Sequence, residues 1–293
     1  MFEDFRRERI DVGDAAINLV IGGSGPAVLL LHGYPQTHVM WHKLAPRLAE
    51  SFTVVAADLR GYGDSSKPLA NPPGGPDHAG YAKRAMALDQ VRVMDHLGID
   101  RFAVVGHDRG GRVAHRLALD HAARVTRLAV LDICPTLDMY EATNKTFATA
   151  YYHWFFLIQP YDLPERLIGA NPAYYLRKKL GHWGRDAQAF TAEALNEYIR
   201  CFSNPETIHA TCEDYRAAAS IDLVHDRADR DRKLSCPVLA LWGAKGFVGR
   251  HYDVLAVWRT RAAQVSGRAV ASGHFLPEEA PKETLREIAA FLS

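Results

Sequence analysis

The chain has 293 residues, with 35 Lys and Arg against 34 Asp and Glu (formal net charge +1), 48% hydrophobic and 24% charged. That suits one globular domain with a sizeable core, or one domain carrying an insertion, and near-neutral charge argues against nucleic acid, which needs a concentrated basic face. Apolar runs such as "AVLLL" are too short to span a bilayer and "MFEDFRRERIDVG" has no apolar signal core, so neither membrane insertion nor export is expected.

Four cysteines (Cys134, Cys201, Cys212 and Cys236) form no CxxC pair and no Cys/His cluster of zinc spacing. They are expected to be reduced, mostly buried thiols of a cytoplasmic protein, with no metal.

In chain order, "RIDVGDAAINLVIGGSGP" reads as a hairpin turning near Gly13-Asp14. "AVLLLHG" (27–33) and "FTVVAADLRG" (52–61) read as strands buried on both faces, with a helix predicted between them at "MWHKLAPRLAES". "LANPPGGPDHAG" (69–80) is a Pro/Gly-rich loop. A helix over 81–97, a strand at 101–106, a helix at 109–121 and a strand at 127–132 follow. This alternation predicts a mainly parallel, doubly wound α/β sheet. From 135 to 234 the chain reads as helices: "YEATNKTFATAYYHWFFLI", "PAYYLRKKLGHW", "AEALNEYIRCF" and "IHATCEDYRAAAS". The β/α pattern resumes with "CPVLALWG" (236–243), a helix around 249–262, a strand near 267–272 and a final helix, "PKETLREIAAFLS". The expected organisation is a core of 1–134 and 235–293, with a helical cap domain (135–234) inserted after the sixth strand and closing over strand ends where ligands bind.

"VVGHDRGGRVAHRLALD" (104–120) carries the chemistry. "GHDRG" fits G-x-nucleophile-x-G between a strand and a helix, with Asp108 at the apex. The helix N-terminus offers N–H groups and positive partial charge, which suit an ionised carboxylate. A helix-capping aspartate is the simpler alternative. Arg109 and Arg112, at i and i+3, can share one helix face and grip a carboxylate bidentately. A short 2-halo acid held there would present its next carbon to Asp108.

The chain resembles the α/β-hydrolase fold, and within it the aspartate-nucleophile branch of dehalogenases and epoxide hydrolases. "LLLHGYPQ" matches that branch's HGxP loop, "DLRGYGDSSKP" its D-x-x-G-x-G-x-S-x-x-P stretch, and "HDRGGR" the H-D-R-x-x-R of fluoroacetate dehalogenases. The resemblance implies Asp108 as nucleophile and His274, in "ASGHFLPEEAP", as general base. Many relatives carry the acid that orients the histidine in a W-G-x-x-D pattern, but here "WGAKG" has Gly246 at that place. Asp132, in "LAVLDICPT", is therefore expected to orient His274, with Asp253 a rival. The resemblance also puts the oxyanion-hole backbone N–H groups at Tyr34 and Arg109, a substrate carboxylate on Arg109 and Arg112, and a halide on His153, Trp154 and Tyr215. Trp183 is a further pocket-lining candidate. Tyr34 and Cys134 depart from the phenylalanine and the aliphatic residue more usual there.

The resemblance thus implies hydrolysis of a small halogenated carboxylate, fluoroacetate to glycolate and fluoride, through an aspartyl ester, without metal or organic cofactor, in a cytoplasmic homodimer. An epoxide hydrolase would share Asp108, His274 and the acid, and use Tyr215, Tyr151 or Tyr152 to protonate the epoxide oxygen. A ligand receptor of the same fold is a third reading. A serine esterase is disfavoured because the apex holds no serine.

Overall fold

The computed structural model describes residues 1–68, 78–184, 186 and 188–293; residues 69–77 of the predicted loop lie outside the described residues. The strands are β1 (Arg6–Asp11), β2 (Ala16–Gly22), β3 (Ala27–Leu31), β4 (Thr53–Ala57), β5 (Phe102–His107), β6 (Val125–Leu131), β7 (Val238–Gly243) and β8 (Val265–Val270). They form one sheet in the order β1-β2-β4-β3-β5-β6-β7-β8. β1 and β2 pair as the expected hairpin, β2 lies antiparallel to β4, and the pairs from β4 through β8 are parallel. β5 is buried along its whole length and β3 from Val28 onward. That is why both read as unbroken apolar runs rather than as alternating ones.

Helices α1 (Ala45–Leu48), α2 (Lys83–His96) and α3 (Asp108–Asp120) precede β6. The chain leaves β3 toward β4 and then crosses to β5 on the other side. The order therefore reverses at β3, and the loops after β3 and β5 open side by side into a crevice. α3 rises from that crevice with every residue from Asp108 to Leu119 buried.

Between β6 and β7 lie α4 (Thr136–Glu141), α5 (Lys145–Ala150), α6 (His153–Phe156), α7 (Leu163–Gly169), α8 (Pro172–Trp183), α9 (Ala192–Phe202), α10 (Pro205–Ala219) and α11 (Ile221–Ala228). α12 (Val248–His251), α13 (Val254–Arg259), α14 (Leu276–Glu279) and α15 (Pro281–Leu292) complete the chain. The side chains of Asn171, Thr191 and Asn204 accept backbone N–H bonds at the starts of α8, α9 and α10, and a proline follows two of these caps at the first helical position.

Three predicted helices differ. "MWHKLAPRLAES" is a 3-10 turn (His38–Trp41) followed by the single turn α1, because Pro46 has no N–H with which to continue a helix from Trp41. "YEATNKTFATAYYHWFFLI" divides into α4, α5 and α6: Asn144 is extended and its side chain accepts from Phe147 N, so the chain restarts there. The helix around 249–262 is two short ones, divided at Asp253, which caps α13. All four cysteines are free and buried. No helix among the described residues is long and apolar enough to cross a membrane.

Candidate active site

Asp108 joins β5 to α3 at φ +47°, in the left-handed region that non-glycine residues seldom occupy. The flanking glycines are required by close approach. A Cβ on Gly110 would lie 2.3 Å from the His32 carbonyl oxygen, and one on Gly106 would lie 2.5 Å from that of Gly110. The turn points the Asp108 carboxylate into the crevice, where Tyr34 N, in the loop after β3, donates to Oδ1 at 3.0 Å. Burial raises the Asp108 pKa, but the charges of His274, His107, Arg112 and Arg109 outweigh it and hold the carboxyl below its ordinary value. Arg109 N belongs to the first turn of α3, whose N–H groups have no intrahelical acceptor.

His274 follows β8 and faces Asp108 through Nε2, 3.9 Å from Oδ2, too far for a direct hydrogen bond. Its Nδ1 lies 2.6 Å from Asp132 Oδ2, which fixes the ring with Nε2 toward Asp108. Asp132, at φ +51° at the end of β6, also accepts from Gly243 N at 2.9 Å. Burial lowers the His274 pKa, yet the Asp132 hydrogen bond and the charges of Asp132 and Asp108 leave it raised overall. The rival Asp253 is exposed and caps α13, accepting from Ala256 N at 3.0 Å. A Cβ at Gly246 would come within 3.4 Å of Asp132 Oδ1, so the two alternative acid positions address the same space.

The two arginines differ. Arg109 donates through Nε and Nη2 to Asp214, all at 2.8 Å, and lies 4.1 Å from the Tyr215 ring centroid. Only its Nη1 lacks a partner, so the expected two-guanidinium grip is reduced on this side to a single nitrogen. Arg112 is pinned by neutral groups: Nη1 donates to Cys134 O and Thr136 Oγ1 at 3.0 Å, and Nη2 approaches Met139 Sδ at 3.2 Å. Its guanidinium lies 4.7 Å from the Trp154 ring centroid. It is buried, its Nε has no partner, and no carboxylate forms a salt bridge with it among the described residues. A buried cation with no ionic partner is costly.

Further polar atoms are buried without partners in the same region: His153 Nδ1, Trp154 Nε1, Tyr215 OH and Trp183 Nε1. The His153 ring packs 4.4 Å from Trp183 and 5.5 Å from Tyr215. Burial drives the His153 pKa well down, leaving a neutral ring with one N–H. Trp183 in turn lies 5.4 Å from His274. Arg109, Arg112, Tyr34, His153, Trp154, Trp183 and Tyr215 thus lie around Asp108, His274 and Asp132, whereas Asp253 stands apart at the start of α13.

A family model described as alpha/beta hydrolase fold matches residues 26–281. The chain belongs to the alpha/beta hydrolase family. A fluoroacetate dehalogenase of Burkholderia sp is 48% identical over 294 residues, covering all of this chain and 95% of that protein. A soluble epoxide hydrolase of Corynebacterium sp. (strain C12) is 37% identical, covering 91% and 90%. The crystal structure of ALR0039 from Nostoc sp PCC 7120 superposes with a TM-score of 0.98 at 65% identity, covering 100% and 99%.

Sequence reasoning missed the supports of this hydrolase site. Asp214 receives Arg109, the Tyr62 hydroxyl at 2.6 Å and the Lys83 ammonium; its signal was its place directly before Tyr215 in "CEDYRA". His107 Nε2 lies 2.8 Å from the His274 carbonyl oxygen, and burial with the nearby His274 charge pushes its pKa down to about 3. An opening of about 780 Å³ reaches His274, Asp132, Trp183 and Tyr151 from outside.

Proposed function

We propose that this alpha/beta hydrolase is a hydrolytic dehalogenase of haloacetates, converting fluoroacetate to glycolate and fluoride. The observation that carries this reading is Arg112: a buried guanidinium near Asp108, with no carboxylate of its own, suits an anionic substrate. The unpartnered Arg109 Nη1 is a second donor for the same carboxylate. The likeness to the Burkholderia fluoroacetate dehalogenase supports the same class.

Asp108 Oδ2 attacks the substrate carbon in line with the carbon–halogen bond. A C–O bond forms and the halide departs with the bonding pair, toward the N–H and O–H groups of His153, Trp154 and Tyr215, with Trp183 lining the pocket. A dry array of donors matters most for fluoride, whose hydration must be replaced. In the resulting ester the carbonyl oxygen is Oδ1, already bonded to Tyr34 N; the Arg109 N–H completes the oxyanion hole. His274, oriented by Asp132, takes a proton from water, which adds at the Asp108 carboxyl carbon; the Cγ–Oδ2 bond then breaks and the imidazolium returns the proton to the departing oxygen, so the hydroxy acid leaves carrying an Asp108 oxygen. No step requires a metal or organic cofactor.

The helices α4–α11 are read as a cap domain (135–234) on a core of 1–134 and 235–293. Exposed Tyr161, Leu163, Leu167 and Tyr174 on that cap support a homodimer, and buried free thiols suit the cytoplasm.

The test is halide release from fluoroacetate and chloroacetate, with Asp108→Asn protein as control. Release by the parent alone is expected. Release of neither halide would overturn the reading and favour an epoxide hydrolase. Tyr215 and Tyr151 would then be its proton donors, since Tyr152 is 46% exposed and packs against the Lys179 ammonium.

A further inference from the structure

The opening of about 780 Å³ is far larger than a two-carbon acid needs, and its charges are one-sided. Tyr151, Trp183 and Phe247 form aromatic walls, and Lys145 and Arg250 stand among its lining residues. Both cations are exposed, and neither forms a salt bridge with a carboxylate among the described residues. Arg250 is tethered where it stands, its Nε donating to Gly246 O at 2.8 Å. The one carboxylate lining the opening is Asp132, whose oxygens are occupied by His274 Nδ1 and Gly243 N.

Several exposed arginines elsewhere sit against acids: Arg166 with Asp162, Arg200 with Asp64 and Glu197, Arg286 with Glu287. Others, such as Arg177 and Arg259, are exposed without a salt bridge among the described residues, so what marks this mouth is that two unpaired cations share one opening whose single carboxylate is already occupied. Further in, Arg112 is a buried cation without a salt bridge among the described residues, beside the carboxylates of Asp108 and Asp132. The positive charge is therefore concentrated at the mouth, where low-dielectric walls focus its field.

We propose that this opening is an anion antechamber: Lys145 and Arg250 concentrate small monocarboxylates at its mouth and pass them inward along the Trp183 wall. The proposal rests on the dehalogenase reading for the identity of the acid, but not for the sign of the charge. It predicts a substrate gain that salt removes, since the mouth is open to solvent and the screening length is about 10 Å at 0.1 M salt.

The test uses the full chain and two readouts. The first is collisional quenching of Trp183 fluorescence, defined by difference from Trp183→Phe protein. With each ion's quenching taken relative to its quenching of free tryptophan, iodide is expected to quench it several-fold better than caesium at low ionic strength, and the Lys145→Gln/Arg250→Gln double variant is expected to lose that preference. Equal quenching by the two ions, or a preference unchanged in the double variant, would overturn the proposal. The second is turnover of chloroacetate. The double variant should lose about 10-fold in kcat/KM at low salt, with kcat unchanged, and the gap should close at high salt. A loss equal at both salt concentrations would overturn the steering role. Absence of turnover in the parent would count against the dehalogenase reading alone, leaving the quenching result to decide the antechamber.

Discussion

Asp132 Oδ2 lies 2.6 Å from His274 Nδ1 although 142 residues separate them, and a Cβ at Gly246 would stand 3.4 Å from the same carboxylate. The acid that orients the histidine can therefore be delivered from the end of β6 or from the loop after β7. Asp132→Asn is expected to lower turnover by about 10²–10⁴-fold, through loss of the correct tautomer and of imidazolium stabilisation. Adding Gly246→Asp to that variant should restore part of the loss, because the new carboxylate enters the same space. Steady-state halide release by the three proteins decides the matter; wild-type turnover in Asp132→Asn would contradict the orienting role.

The pH profile follows from the direction of two shifts. His274 acts as a base only when neutral, and its pKa is held above the ordinary 6.5, chiefly by the Asp132 hydrogen bond and charge, which persist once Asp108 is esterified, so kcat should rise with pH through a value above 6.5. Asp108 is held below 3.8 and remains ionised throughout, so it adds no limb there. Asp132→Asn removes the hydrogen bond and the charge that raise His274, and the residual activity should shift its acid limb to lower pH. Stability has the opposite sense. The protonated His274–Asp132 pair contributes fully below about 6.5, and its contribution is lost as pH rises through the raised folded-state pKa. Thermal melts across that window should show this decline in the parent and a flatter profile in Asp132→Asn.

Arg112 sets binding against stability. Arg112→Lys keeps the charge but loses the planar fork, and should raise KM for haloacetates by about 10–100-fold, the equivalent of roughly 1.5–3 kcal/mol for a charge-assisted hydrogen bond. Arg112→Met removes a buried cation that has no ionic partner. It should abolish haloacetate turnover while holding or raising Tm. A large drop in Tm would mean that Arg112 is structural. Acetate, a non-reacting carboxylate, should raise the Tm of the parent and leave that of Arg112→Met unchanged.

The unpartnered donors should discriminate between halogens. Tyr215→Phe removes one buried O–H with little change of shape, and Trp154→Phe removes a buried N–H together with part of the ring. Loss of one donor at developing charge costs on the order of 10²-fold, so fluoroacetate turnover should fall by about that factor and chloroacetate turnover by much less. Equal losses for both acids would place these groups in packing rather than in halide stabilisation.

The mainly parallel sheet and the turn at Asp108 were legible because each leaves a local mark: unbroken apolar strands, glycines at points of close approach, a strand running straight into a helix. The short helices were not. α7 carries Leu163 and Leu167 exposed, which hides its apolar face, and α11 buries little beyond Asp222. The expectation of two arginines gripping one carboxylate did not take in Asp214, 105 residues further along the chain, which receives Nε and Nη2 of Arg109. No spacing rule announces a pair brought together only where α10 meets the first turn of α3. The same holds for Tyr62 and Lys83, which meet on that carboxylate from separate elements.

The most direct test of the account is one turnover of chloroacetate, with enzyme in excess, in water bearing a heavy oxygen isotope. The account predicts unlabelled glycolate and label in the Asp108 carboxylate, because the new oxygen of the product comes from the side chain. Label in the glycolate of the first turnover would mean that water attacks the substrate carbon directly and that no aspartyl ester forms.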